Sequence, residues 1–242
     1  MKIIKYHKLN TYQYEVVLDN NERIKLYEDV ILSEELLLKG YIDDLEKILL
    51  INKKYEVYEV ALNYLNHHVM SIKGINDYLK KKGYSEEDIE NTITRLVDNH
   101  YLDDNYYAKC YINDKVHLTN DGPLKIMHHL EENGIYSEIY EELMEQYHDI
   151  WQDKIIKYVD KQIRLNKKSN YYFKNKMLVN LMNLGYEREM INQVLNHVNI
   201  DNQDELKIKE EEKIRKKLSL KYSGEELERK IKEKLYQRGF FE

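Results

Sequence analysis

The chain has 242 residues, 42% hydrophobic and 34% charged, with a formal net charge of −6, one Pro, 8 Gly and one Cys. So little turn-forming material excludes a β-sandwich or a βαβ series and favours long helices, and the periodic apolar residues exclude disorder throughout. No apolar run nears the roughly 18 residues of a membrane span, and the first residues lack the apolar core of a secretory signal; Cys110 alone allows no intramolecular disulfide, and a cytoplasmic location is the expectation.

Residues 1–27 alternate as strands do. TYQYEVVLD, the pair Asn20-Asn21 and then ERIKLY read as a hairpin, because Asn tolerates the positive φ of a tight turn. A small three-stranded sheet is expected there. From Glu28 the period becomes helical, with a short helix ending near Gly40 and another from Asp43 through His67, broken around Asn52–Lys54.

Four stretches then repeat one pattern: LKKKGY, LEENGI, LMNLGY and LYQRGF, with glycines at Gly83, Gly134, Gly185 and Gly239. Leu79, Leu130, Leu181 and Leu235 lie four residues before each, and Ile75, Ile126, Met177 and Ile231 eight before. Residues at i, i+4 and i+8 share one helical stripe, so each stretch is an amphipathic helix closed by a left-handed Gly. In three copies the face continues past the Gly, through Ile89, Ile93 and Leu96, through Tyr140, Met144 and Tyr147, and through Ile191, Leu195 and Val198. Ser85 with Asp88 reads as the opening cap of the first of these helices. A further helix precedes each of the first three stretches, in EVALNYL, YYAKCYI and IIKYVDKQI. The expected unit is three helices with a period near 51 residues. The expected divisions are a head over 1–54, repeats over 55–101, 102–152 and 153–201, and an incomplete two-helix fourth copy over 202–242 with Ser223 and Glu226 as a capping box. The fold class is mainly α: tandem three-helix repeats behind a small β head.

Catalytic patterns are absent. There is no Gly-rich phosphate loop and no Gly-x-Ser-x-Gly, and one Cys excludes the cysteine-rich zinc patterns. Adjacent histidines at His67-His68 and His128-His129 point about 100° apart on a helix and read as surface or packing residues. Asp103-Asp104 precede a helical run and read as an N-terminal cap. The expectation is a non-enzyme with no cofactor and no metal.

Charge is unevenly divided. Residues 1–150 carry 17 Lys/Arg against 29 Asp/Glu, whereas residues 151–242 carry 21 against 15. Within the basic part Lys154, Lys157, Lys161, Arg164, Lys167, Lys168, Lys174 and Lys176 are opposed only by Asp160, with Tyr171, Tyr172 and Phe173 among them. The first four recur every three or four residues as one helix stripe. Cations beside aromatics suit phosphates and unstacked bases. Solvent-facing lysines with aromatics in the core would account for the same pattern.

The order of Ala61-Leu62, Leu65, Ser71, Leu79, Gly83-Tyr84, Ile89, Leu96, Leu102-Asp103-Asp104, Tyr107-Ala108 and Tyr111, continued by Gly122, Ile126, Leu130, Gly134-Ile135 and Leu143, resembles the RecX family of recombination regulators. In that family Gly83, Gly134, Gly185, Leu102, Asp103, Asp104, Tyr107 and Ala108 would be mainly structural. The resemblance implies an elongated, curved, monomeric array that lodges on a RecA-type recombinase filament on single-stranded DNA. There it limits filament growth, ATP hydrolysis and strand exchange, in recombination, DNA repair and the SOS response. At about 20–25 Å per unit, four units would span on the order of 80–100 Å. Direct binding of single- or double-stranded DNA is the alternative. Where the family carries basic residues this chain has His67 and His68, and where it carries an acid after Ser71 this chain has Gly74. The region before Gly122-Pro123 is also less basic than in the family, so the charged contacts are expected from the third repeat.

Overall fold

A computed structural model describes residues 1–166, 168–198 and 203–241. The head is a three-stranded antiparallel sheet, β1 (Ile3–Lys8), β2 (Gln13–Leu18) and β3 (Arg23–Tyr27), in the order β1-β2-β3. The Asn20-Asn21 turn forms as its chemistry dictates: Asn21 takes φ 64°, and the Glu22 N–H donates to Asn20 Oδ1 at 2.9 Å. Pairing Val16 with Ile24 and Tyr14 with Leu26 puts Val16, Leu18, Ile24 and Leu26 on one buried face. That face packs on α1 (Glu28–Ser33), α2 (Leu36–Lys39) and the first half of α3 (Leu45–Leu65) through Val30, Ile31, Leu36 and Ile48.

Two local expectations are corrected here. The single helix ending at Gly40 is two short ones, because Glu35 adopts φ 54° between them; Gly40 at φ 72° does close the second. The helix after it runs unbroken through Asn52–Lys54. Asn52 reads as a breaker in sequence, but its side chain has a tertiary use: Oδ1 accepts the Tyr27 N–H at 2.8 Å and Nδ2 donates to the Lys25 carbonyl at 3.1 Å. It therefore satisfies the outer edge of β3, as a neighbouring strand would. The early residues of α3 pack on the sheet, and Val57, Tyr58 and Ala61 on the helices that follow.

Those are α4 (Ile72–Lys82) and α5 (Glu86–Asp98), which close a core of Val57, Ala61, Ile75, Leu79, Ile89 and Leu96. The chain continues as α6 (Asp104–Leu118), α7 (Pro123–Glu132) and α8 (Ser137–Glu145), then α9 (His148–Ile163), α10 (Asn170–Asn183) and α11 (Arg188–His197), and last α12 (Gln203–Leu218) and α13 (Gly224–Gln237). In each set the stripe expected from the spacing is buried: Ile126 and Leu130, Met177 and Leu181, Ile231 and Leu235. Ser85 caps α5, donating to Asp88 Oδ2 at 2.6 Å while accepting the Asp88 N–H. Ser223 stands at the N-cap of α13 but makes no side-chain cap bond, so that capping box does not form. The residues fall into two compact units, Met1–Tyr107 with Asn133–Ile135, and Ala108–Glu132 with Tyr136–Glu242.

All four repeat glycines are left-handed, with φ 88°, 79°, 89° and 76° at Gly83, Gly134, Gly185 and Gly239. Three of them also meet the first turn of an earlier helix. In the second unit the Gly122 and Leu124 N–H groups, at the start of α7, donate to the carbonyls of Leu184 and Gly185 at 2.6 and 3.0 Å. A Cβ on Gly185 would lie 2.5 Å from the backbone nitrogen of Lys125. Gly239 likewise approaches Ser169 and Tyr171, and Ser169 Oγ donates to the Arg238 carbonyl at 2.7 Å. In the first unit Gly134 sits against the Lys73 side chain on α4. At the Gly185 joint orphan N–H groups of one helix thus meet orphan carbonyls of another, and the opposite partial charges of the two helix ends favour the contact.

Gly185→Ala should lower stability by more than the roughly 1–2 kcal/mol of left-handed strain. Gly83→Ala, with nothing within 4 Å of its added Cβ, should lose about that strain alone. Urea midpoints of the two variants test this, and equal losses would refute the helix-end contact as a stabilising element.

Candidate binding surface

The acidic pair before α6 acts on helix ends, and each carboxylate serves a different helix. Asp103 Oδ1 accepts the Asn105 and Tyr106 N–H groups at 2.8 and 3.3 Å, capping α6 itself. Asp104 Oδ1 reaches back to accept the Ile72 N–H at 2.9 Å, capping α4 beside Ser71, whose Oγ accepts the Gly74 N–H at 3.0 Å. Burial pushes the Asp104 carboxyl above its usual range despite that bond, with the charge on Asp103 adding to the rise. Leu102, Tyr107 and Ala108 are buried. In the second unit Gln203 Oε1 accepts the Asn170 N–H at 2.7 Å, so the start of α12 caps α10 as Asp104 caps α4.

The basic stripe is divided by its surroundings. Lys154 is withdrawn from it: its ammonium donates to the carbonyls of Val116 and Lys115 at 2.7 and 3.3 Å, at the end of α6, and lies over the Trp151 ring. Burial lowers its pKa. Lys157 and Lys161 on α9 are exposed and Arg164, also exposed, follows at its C-cap; none of the three makes an ion pair among the described residues. Lys167 lies outside the described residues, and Lys168 is exposed in a loop held by Asn166, which bonds both its N–H and its carbonyl. On α10 Lys176 is exposed and Lys174 half-buried. Tyr171 and Tyr172 are exposed at its start, while Phe173 turns into the core.

A second set of cations is consumed internally. Asp121 holds Lys125 at 2.6 Å and Lys115 at 3.4 Å. Burial alone would raise its pKa, but the two ammonium groups outweigh it and hold the carboxyl below its usual range. Lys115 also lies over Tyr111, which stacks on His129 at 4.3 Å between centroids. Burial, helped by Lys115, keeps the His129 pKa low. Tyr64 stacks on Tyr78 at 3.9 Å in the same way in the first unit, with His68 against it. His129 and His68 are therefore members of ring stacks, whereas His128 faces Glu132 at 3.4 Å and His67 is exposed. No cluster of three or more His, Cys, Asp or Glu suited to a metal occurs among the described residues, and no helix among them is long and apolar enough to cross a membrane. The paired ring positions 64 with 78 and 111 with 129 were readable only as isolated aromatics, because their helices keep different spacings.

What the described residues offer is successive sets of packed helices, a helical-repeat architecture. The comparisons with known proteins agree. Residues 58–96 match the family model for RecX, first three-helix domain. The chain is 32% identical to the regulatory protein RecX of Finegoldia magna over 177 residues, 72% of this chain and 82% of that one. It is 31% identical to RecX of Streptococcus pyogenes serotype M1 over 251 residues, 99% of this chain and 95% of that one. Among solved structures it superposes on a crystal structure of regulatory protein RecX with a TM-score of 0.67, at 21% identity, covering 81% of this chain and 99% of the other. RecX from Lactobacillus salivarius gives a TM-score of 0.54 at 25% identity, over 59% of this chain and 94% of the other. The chain belongs to the RecX family of regulatory proteins.

Asp104→Asn keeps an oxygen for the Ile72 N–H and removes the buried charge. With a folded pKa above the unfolded one, the wild-type aspartate favours folding at low pH and loses that contribution as pH rises through the folded value. The stability difference should therefore move towards the Asn variant between pH 4 and pH 7, read from denaturant midpoints. Asp104→Ala should lose about 1 kcal/mol.

Proposed function

We propose that this protein is a non-catalytic regulator that binds a RecA-type recombinase filament on single-stranded DNA and restrains its growth, ATP hydrolysis and strand exchange. Membership in the RecX family carries this reading, supported by relatives that span nearly the whole chain under the name of regulatory protein. The chain's three-helix sets present faces that can engage successive protomers of a repeating partner, a geometry that suits a filament better than a small molecule. The expected contact surface is the exposed cations Lys157, Lys161 and Arg164 of the stripe, together with Lys176 and the exposed ring of Tyr172 on α10. The three-helix division of residues 55–101, 102–152 and 153–201 is part of the same proposal.

Adding purified protein to cognate filaments at stoichiometric ratios should slow their DNA-dependent ATP hydrolysis. An unchanged rate would overturn the reading.

A second reading, direct binding of single strands, is favoured by one observation: Lys157 and Lys161 stand exposed with no carboxylate partner among the described residues. Changing Lys157, Lys161 and Arg164 to Glu should then abolish most strand binding at low salt. If all three cations meet phosphates, the slope of log K against log salt should fall by about 2 in magnitude.

A further inference from the structure

The head has an apolar corner that its own packing leaves uncovered. Of the three leucines of α2, Leu36 enters the head core, while Leu37 and Leu38 are 58% and 87% exposed. No large apolar residue among the described ones is more exposed than Leu38. Two left-handed residues hold the corner, Glu35 at φ 54° before the helix and Gly40 at φ 72° after it. Glu35 carries backbone strain there that a glycine would not. Its N–H donates at 3.0 Å to the carbonyl of Leu32, a further leucine, 56% exposed.

The corner is acidic. Residues 28–47 hold seven Asp/Glu against Lys39 and Lys47, and Lys47 is engaged by Glu34 at 3.9 Å. Glu35, Asp43 and Glu46 are exposed and make no ion pair among the described residues. The N-terminal ammonium on the Ile42 carbonyl and Lys2, paired with Tyr41, add two cations, and the corner stays negative. Such a surface disfavours nucleic acid and anionic lipid, and it is complementary to an apolar recess among basic side chains.

The second unit holds such a recess. Between α9 and α11 lies a groove of about 330 Å³, with Ile156, Val159 and Ile163 on one wall and Val194 and Val198 on the other. The equivalent groove of the first helix set is closed from within. There Arg95, twelve residues after Gly83, lays its guanidinium 3.8 Å from the Tyr58 ring centre and 5.0 Å from that of Tyr55. Twelve residues after Gly185 stands His197, and the α9 wall is aliphatic, so nothing comparable covers it among the described residues. Residues 151–198 carry nine Lys/Arg against four Asp/Glu. Lys157, Lys161 and Arg164 stand exposed further round α9, and Asp160 is the carboxylate on the wall itself.

We propose that Leu37 and Leu38 of one copy dock in the α9–α11 groove of a second copy, with Glu35, Asp43 and Glu46 of the first facing Lys157, Lys161 and Arg164 of the second. The two surfaces differ, so the contact is head-to-tail: a pair leaves one leucine corner and one groove free, and further copies can add at either end. This replaces the monomer that the family resemblance implies, and it does not rest on the filament reading.

Sedimentation velocity of the full chain over a concentration series tests it. The wild type should associate as concentration rises, and less so at high salt, because the flanking charges are exposed. Leu37→Glu with Leu38→Glu, and separately Ile156→Glu, should each raise the dissociation constant at least about tenfold, the order of what one buried leucine contributes. Lys157→Glu with Lys161→Glu should weaken association as well; it leaves the groove wall untouched and so keeps the test valid if Ile156→Glu unfolds. Mixed one to one, the leucine variant and the lysine variant should form a heterodimer and nothing larger, because each such pair keeps one intact corner and one intact groove. A wild type that stays monomeric, association that survives the leucine variant, or a mixture that stays monomeric would overturn the proposal. So would loss of association in the leucine variant alone, which would mean that leucine corners pair with each other.

Discussion

One backbone conformation organises the helical part of this chain: a glycine at positive φ after a helix, pressed against the first turn of another helix. At Gly185 the absence of a side chain lets the Leu184 and Gly185 carbonyls come within hydrogen-bond distance of the Gly122 and Leu124 N–H groups. Both partners are groups that a helix cannot satisfy internally. At Gly239 the same geometry brings the Arg238 carbonyl to Ser169, which is buried although it caps a helix. A left-handed residue other than Gly would carry strain at these places, and a Cβ would collide with backbone or with the base of a side chain. The spacing of these glycines therefore sets where helix ends can meet.

Polar side chains are used at the same ends. Asp104 caps α4, Gln203 caps α10, and the Lys154 ammonium gathers carbonyls at the end of α6. Each comes from a helix other than the one it caps, so each ties two helices together at the point where unsatisfied backbone would otherwise be buried. Such use explains why Lys154, an expected cation of the stripe, is half-buried and why both carboxylates of the acidic pair accept N–H groups at helix starts. Charge that serves helix ends is not available to a partner; charge on Lys157 and Lys161 is.

This division of labour suits a regulatory protein of the RecX family. The interior of each helical set is occupied by aliphatic stripes, and its polar residues are largely spent on caps and ion pairs. On the last two helix sets exposed faces carry Lys157 and Lys161, which make no ion pair among the described residues, together with exposed rings, in the part of the chain that carries the excess of Lys and Arg.

Much of the fold was legible in the sequence because it rests on local rules. Alternation and an Asn-Asn turn specified the head, a four-residue period specified the buried stripes, and Leu-x-x-x-Gly marked helix ends whose left-handed φ follows from the lack of a Cβ. Family membership was legible for the same reason, since the order of small, apolar and acidic residues from Ala61 to Leu143 reflects those structural demands. What a side chain does across helices was not legible. Asn52 reads as a breaker and serves as a strand edge, Lys154 reads as surface charge and caps a helix, and Ser223 reads as a cap and makes no cap bond. The exposed cluster of Tyr171, Tyr236 and Phe241 has no local signal at all. Local conformation depends on neighbours a few residues away, which a sequence displays; the partner of a polar or aromatic group depends on which helix ends meet, and only the tertiary structure decided that.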